Sequence, residues 1–399
     1  MKYLKNLILI AFLSIIIFSC KVNQPPVDWN LITEEIDQIT MPDSIPEIYI
    51  TLQGDTLYQL GEEVDLPIYR LTRDSITIIG VGDIMMGTNY PEKSYLPPND
   101  GSELLKEVNH ILRNADLTFG NLEGVILNDG GTPKYCSNKN LCFAFRTPEK
   151  YITHLLNAGF DVMATANNHA GDFGNIGRRN TMKVLDSVGI AHAGLLMQPF
   201  TRFKKDGIKY GFAAFAPNTG TQSINNLEAA RKIIQHLDSI SDIVIVSFHG
   251  GAEGSGHQHV TRKTEVFYGE NRGNVYEFAH ALIDEGADVV LGHGPHVTRA
   301  MEIYKDRFIA YSLGNFCTYG RFNVSGPNGL APIVKLWTDM EGRFIRGELT
   351  PVKQTKKTGP QIDGNKEVFH YINTLIREDF PESTLKVGPQ GELIYTKNQ

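Results

Sequence analysis

A layered α/β fold with mixed sheets is what this sequence predicts, on three observations. From Ile76 onward, short runs of β-branched and aromatic residues alternate with segments whose apolar residues recur at helical spacing, the pattern of repeated βα units. Two hairpins follow, turning at Lys305-Asp306 and Glu341-Gly342. The composition supports a large core: of 399 residues, 41% are apolar and 21% charged, with 38 glycines and 19 prolines. That balance excludes a disordered chain, a collagen-like fibre and a disulfide-dense miniprotein. The formal charge of −7 argues against nucleic acid as a partner, since phosphate binding normally needs a basic face.

The first element is an export signal, residues 1–19. Lys2 and Lys5 precede the apolar run Leu7 to Phe18, which falls short of the roughly 20 residues that span a bilayer and matches a signal h-region. The run closes on Ile17-Phe18-Ser19-Cys20. That ending resembles a bacterial lipobox, in which Cys20 is acylated and becomes the mature N-terminus; the alternative is an ordinary cleaved signal with an incidental cysteine. Lys21 rather than an aspartate follows, and by resemblance to Gram-negative sorting rules this points to a lipid anchor in the outer membrane. Residues 20–74 are acidic and Pro-containing, a tether with a strand pair around Ile48–Leu52 and Thr56–Leu60.

The main domain is expected over residues 75–351. Ile76–Val81 reads as a buried strand before Gly82, Ser102–Leu112 as a helix with core positions Leu104, Leu105, Val108, Ile111 and Leu112, and Leu117–Gly120 as a strand. Thr147-Pro148-Glu149 has the grammar of a helix start, with Thr147 as N-cap. Strands are then predicted at Val162–Thr165, Tyr210–Ala216, Ile243–Phe248 and Val289–Leu291, and helices at Ile176–Val188, Leu227–Leu237 and Val275–Asp284. The hairpins pair Met301–Tyr304 with Arg307–Tyr311, and Ala331–Thr338 with Arg343–Pro351. Residues 352–399 are polar and read as a C-terminal extension with one helix near Val368–Arg377. Cys136 and Cys142, in a polar insertion, either staple that loop in an oxidising compartment or remain two thiols. Cys317 reads as a small buried apolar residue.

Ligands of such sheets bind where loops leave the carboxyl ends of the strands. Those ends carry Asp83, then Asn121 and Glu123, then Asn168, His169 and Asp172, then His249 and Glu253, then His293 and His296. Carboxylates, an amide and imidazoles without thiolates suit Zn²⁺, Mn²⁺ or Fe. The Gly-rich loop Glu253 to His259, followed by Arg262, Lys263 and Arg272, reads either as a substrate-covering loop or as solvated surface. Asn315, ending a hairpin strand, lies either at the site or in a structural turn.

Five motifs in order carry a family resemblance: Gly80-Val81-Gly82-Asp83, Asn121-Leu122-Glu123, Asn167-Asn168-His169 through Gly174, Gly292-His293-Gly294-Pro295-His296 and Tyr311-Ser312-Leu313-Gly314-Asn315-Phe316. Over roughly residues 76–350 the chain resembles the CapA family of capsule and poly-γ-glutamate biosynthesis proteins, related to calcineurin-like metallophosphoesterases. The resemblance implies a four-layer α/β/β/α metallophosphatase-like sandwich. It implies metal ligation by Asp83, Asn168, His249, His293 and His296, with His169 protonating the leaving group. Asp172 would either orient His169 or cap the following helix. Asn121, Glu253, Arg272 and Asn315 would lie at the substrate. The wider pattern has a histidine at the position of Met85 and a metal-bridging aspartate at that of Asn121; Glu123 substitutes if its loop turns inward. Gly250 stands where the family often has an aromatic residue. One or two metals remain open.

The function expected is an exported metal-dependent hydrolase of phosphoester or amide bonds in an envelope polymer, working beside capsule-synthesis machinery. The alternative is a non-catalytic accessory protein on the same scaffold. A saccharide- or peptide-binding surface protein would need exposed aromatics around a groove, and no such cluster is visible along the sequence.

Overall fold

The strand β1, Ile76–Met85, sets the phase of the whole site. In the computed structural model, which describes residues 48–50, 56–58, 74–135 and 143–397, Ile76 and Ile78 face one core and Ile79 and Val81 another. Simple alternation would then put Asp83 on the face of Ile79 and Val81. A β-bulge between Gly80 and Asp83 prevents this. The extra residue reverses the phase, so Ile84 rejoins the core of Val81 and Asp83 turns to the opposite face. Gly82 permits the close backbone approach: a Cβ there would lie 2.0 Å from the Gly314 carbonyl oxygen.

Beside β1 in the large sheet run β2 (Leu117–Leu122), β3 (Val162–Ala164) and β4 (Ala191–Ala193), all parallel. Between β3 and β4 lies the helix α2 (Gly174–Ser187), and before β3 lies α1 (Ile152–Ala158). Leu155, Val184 and Leu185 of these helices cover Ile79, Val81 and Met163.

The second sheet starts with β5 (Phe200–Lys205) and β6 (Ile208–Phe215), an antiparallel pair. It continues through the parallel strands β7 (Ile243–His249) and β8 (Val289–His293) to the hairpin β9 (Met301–Tyr304) and β10 (Arg307–Ala310). Its helices, α3 (Leu227–Asp238) and α4 (Val275–Asp284), begin where asparagines cap them. Asn226 accepts from the Ala229 amide at 3.1 Å and Asn274 from that of Glu277 at 3.2 Å, satisfying otherwise orphaned donors.

One core joins the inner faces of both sheets, with Ile78, Phe119 and Val162 from the first and Phe212 and Leu291 from the second. A Cβ on Gly80 would stand 3.0 Å from Leu291, so the sheets meet face to face. Helices α1 and α2 lie outside one sheet and α3 and α4 outside the other, giving the α/β/β/α order. Completing the large sheet are β11 (Asn315–Thr318), parallel to the distal half of β1, and the antiparallel hairpin of β12 (Leu330–Thr338) and β13 (Phe344–Lys353).

Three local readings need correction. The segment from Ser102 is turns, and only Asn109–Leu112 is α-helical. Gly359 passes so close that a Cβ on it would be 1.8 Å from the Leu104 carbonyl oxygen, while Leu104, Leu105, Val108 and Leu112 are still buried. Thr147 does not cap its helix: its hydroxyl donates to the Gly87 carbonyl at 2.9 Å, and Asn128 receives the Glu149 amide at 3.0 Å instead. Residues beyond Pro351 are no appendage, since Thr72–Gln399 form one compact unit. There α5 (Glu367–Asp379) buries Val368, Phe369, Ile372, Leu375 and Ile376 in the inter-sheet core.

In the preceding unit, Met1–Leu71, Ile48–Ile50 pairs antiparallel with Thr56–Tyr58, as the spacing suggested. The expected export signal of residues 1–19, the acylated Cys20 and the pair Cys136 and Cys142 lie outside the described residues. Cys317 is buried and unbridged, and burial pushes its thiol up to about 12. No helix among the described residues is long and apolar enough to cross a membrane.

Candidate metal centre

Parity carries the ligand set into the inter-sheet layer. On β2, Leu117 and Phe119 face that layer, so Asn121 and then Glu123 follow on the same side. On β8, Leu291 faces it, so His293 does too, and β7 places His249 directly opposite His293 in register. Asp83, Asn121, Glu123 and His293 are fully buried, and His249 is nearly so.

Asp83 is the hub. Its Oδ1 accepts from Asn121 Nδ2 at 2.8 Å and its Oδ2 from His296 Nδ1 at 2.9 Å. His293 Nδ1 lies 3.3 Å from Oδ1. Burial alone would raise the Asp83 carboxyl, but hydrogen bonds and positive field from His293 and His296 outweigh it and hold the group well below the ordinary carboxylate range. His296 sits in a left-handed backbone conformation, φ 57°. Its carbonyl is gripped by two amides, Asn315 Nδ2 at 3.1 Å and Asn328 Nδ2 at 3.2 Å. Burial would lower the His296 imidazole, yet the carboxylates of Glu123 and Asp83 push it up to about 10.

Glu123 is turned inward, with Oε1 3.5 Å from His296 Nε2 and 3.9 Å from His169 Nε2. Neither Glu123 oxygen has a hydrogen-bond partner, and burial raises its carboxyl well above the ordinary value. His249 Nε2 and His293 Nε2 are likewise unpartnered, as is Asn168 Oδ1. Burial, with Arg272 adding to it, holds His249 well below the usual imidazole value and so neutral. Asp83, Glu123 and His249 each offer an atom within 4.8 Å of the others, a grouping able to hold a metal ion. The donor types and the converging unsatisfied acceptors fit a divalent cation, because buried polar groups left unpaired are costly unless something completes them.

His169 stands at the edge of this set. Its Nδ1 is 2.7 Å from Asp172 Oδ2, which also receives the Phe145 amide at 2.7 Å. Lys134 Nζ pairs with the other Asp172 oxygen at 2.6 Å. Asp172 makes no cap contact to α2, whose N-cap residue is Phe173 with no side-chain cap bond; its partners are instead His169, Phe145 and Lys134. Burial lowers the His169 imidazole against the field of Asp172.

The remaining expected residues divide. Glu253 and Arg272 line a cleft of about 890 Å³ that opens over His169 and His296, and they pair with each other at 3.1 Å. Asn121 is sealed behind Asp83. Asn315 is 1% exposed, with its amide nitrogen committed to the carbonyls of His296, Asn323 and Asn328. Away from the centre, His259 pairs with Asp379 at 2.7 Å, and Arg262 lies over Tyr276 and Phe380. Met85 packs with Phe145 and Phe322, so an apolar wall stands where the wider pattern has a histidine. An aromatic residue in place of Gly250 has no room: its Cβ would be 2.7 Å from Ile224 and 2.9 Å from the Arg272 carbonyl. Sequence reasoning gave no role to Asn167, which donates to Leu122 O at 2.9 Å and accepts the His169 amide at 3.1 Å. Its place inside the Asn167-Asn168-His169 motif was the available signal.

Residues 77–319 match the model of a family described as bacterial capsule synthesis protein PGA_cap. The chain is 27% identical over 292 residues to the capsule biosynthesis protein CapA of Bacillus anthracis, covering 68% of this chain and 66% of that one. It is 28% identical over 260 residues to the PGA biosynthesis protein CapA of Bacillus subtilis, covering 61% and 63%. The chain thus spans just under two thirds of these relatives. A putative 5′-nucleotidase from Staphylococcus aureus aligns over 75% of this chain and 58% of its own at 16% identity and a TM-score of 0.36.

Proposed function

This chain belongs to the bacterial capsule synthesis protein family, and from that premise we propose that it is an exported, metal-dependent hydrolase anchored by an acylated Cys20. Its substrate would be a phosphoester or amide bond of an envelope polymer, handled beside capsule-synthesis machinery. One observation carries the reading: Glu123 Oε1 and Oε2, His249 Nε2 and His293 Nε2 are buried, unpartnered and gathered around Asp83. Asp83, Glu123, His249 and His293 would hold the ion, with Asn168 and His296 at its margin. An ion held there would supply Lewis acidity, by which water becomes a nucleophile near neutral pH.

The chain's own groups do the rest. Asp172 accepts the Nδ1 proton of His169 and so fixes the ring with Nε2 toward the cleft. The doubly protonated ring, stabilised by the adjacent Asp172 carboxylate, would give its Nε2 proton to the departing oxygen or nitrogen and be left neutral. Arg272 and Glu253 border the approach. The apolar wall of Met85, Phe145 and Phe322 favours one ion over two.

Elemental analysis of the purified full chain tests this. One equivalent of a transition metal is expected, and the Asp83→Ala/His293→Ala double variant should lose it. A metal-free protein under loading conditions would favour the non-catalytic accessory role. His169→Ala should lower turnover by about 10²–10⁴-fold with metal content intact; retained turnover would remove the proton-transfer role.

A further inference from the structure

We infer that the cleft above the metal-ligand set is a subsite for a neutral saccharide chain, an inference that rests on the proposed envelope-polymer hydrolase and names its substrate class. At about 890 Å³ the cleft lies toward the upper end of the roughly 300–1,000 Å³ of ligand sites, far more than one phosphate or scissile bond requires. Five aromatic side chains line it: Tyr135, Phe143, Phe267, Tyr268 and Phe322. Two of them are the anomaly. Tyr135 is 92% exposed and Tyr268 is 91% exposed, the latter at the turn of the short hairpin formed by Val266–Phe267 and Glu270–Asn271. Large apolar rings held out in water around a groove mark a binding surface rather than a core.

Charge separates the candidate occupants. A γ-linked glutamate chain carries one carboxylate per residue and would need unpaired cations along its path. Among the described residues that line the cleft, Lys134, Arg272 and His296 can carry positive charge, and all three are committed, His296 facing Asp83 at 2.9 Å. Lys134 pairs with Asp172 at 2.6 Å, and Arg272 with Glu253 at 3.1 Å and Glu270 at 3.0 Å. A polyanion would have to break pairs in which Asp172 and Arg272 are the buried members, a costly exchange. A pyranose ring needs nothing of the kind. Its apolar C–H face stacks on an aromatic ring, and its hydroxyl edge meets a planar amide and a carboxylate, which Asn323 and Glu253 present.

The test is calorimetric titration of the purified full chain with two neutral hexasaccharides, of N-acetylglucosamine and of mannose, against a γ-linked glutamate hexamer. Binding of at least one neutral hexasaccharide is expected, at least tenfold tighter than the glutamate hexamer. Tyr268→Ala should weaken it at least tenfold, Tyr135→Ala should act in the same direction, and Tyr268→Phe should restore it. Binding of neither saccharide, tighter binding of the glutamate hexamer, or indifference to Tyr268→Ala would overturn the assignment. Metal content measured on the same samples separates the two readings: saccharide binding without metal would break the hydrolase proposal and leave this one standing.

Discussion

The pair Arg299–Glu265 and the cluster at Asp83 both bury charge, and they are built on opposite terms. Arg299 is fully buried and Glu265 is 7% exposed, and their pairing is bidentate, both bonds 2.8 Å. The guanidinium also donates to His257 O at 2.9 Å and Ala252 O at 3.2 Å, while Glu265 receives the Ala252 amide at 2.8 Å. The cluster at Asp83 is buried as deeply, yet it leaves both Glu123 oxygens and two imidazole nitrogens without partners. The first pair spans the loop that carries Glu253 and is complete by itself. The second is complete only with something added. Burial alone therefore does not distinguish structural from functional charge; satisfaction does.

Removing one partner from the satisfied pair should have the largest effect. Arg299→Ala leaves Glu265 buried and uncompensated, and denaturant unfolding should show a loss of about 3–5 kcal/mol; a loss below about 1 kcal/mol would mean the pair is not structural. The other cluster should respond differently. Glu123→Leu removes a buried carboxyl without hydrogen bonds but also the field it exerts on His296 at 3.5 Å, so the metal-free protein should change by less than about 1 kcal/mol while metal affinity falls. A loss as large as that of Arg299→Ala would show that Glu123 is already satisfied.

The smallest effect concerns pH. In the metal-free protein, Glu123 and Asp83 push His296 up to about 10, so the ring is protonated throughout the neutral range. Protons then compete with the cation. Apparent metal affinity should rise between pH 6 and 8, by up to about tenfold per pH unit for each proton displaced. Equilibrium dialysis at several pH values would check this, and a flat profile would contradict it.

Much of this could be read along the chain because the signals were local. Asn226 and Asn274 announce α3 and α4, and the all-apolar run Ile243–Phe248 announces a strand covered on both faces. Other parts could not be read, for equally physical reasons. β5, Phe-Thr-Arg-Phe-Lys-Lys, is a half-exposed edge strand whose polarity hides it. The irregular turns after Ser102 have a helical apolar pattern, but a distant glycine segment packs against their carbonyls. Tyr135, Phe143, Tyr268 and Phe322 are too far apart in sequence for a window to show that they ring one groove.

The alternation of strands and helices and the residue types at each strand end follow from the amino-acid order alone, because periodicity and strand-end chemistry are written in neighbouring residues. Tertiary structure decided which of those residues meet. The bulge at Gly80–Asp83 turned one carboxylate inward, the β7–β8 register set His249 against His293, and paired asparagines held His296 in its left-handed conformation. Those are contacts between segments tens to hundreds of residues apart, whose geometry exists only once two sheets have closed on one core.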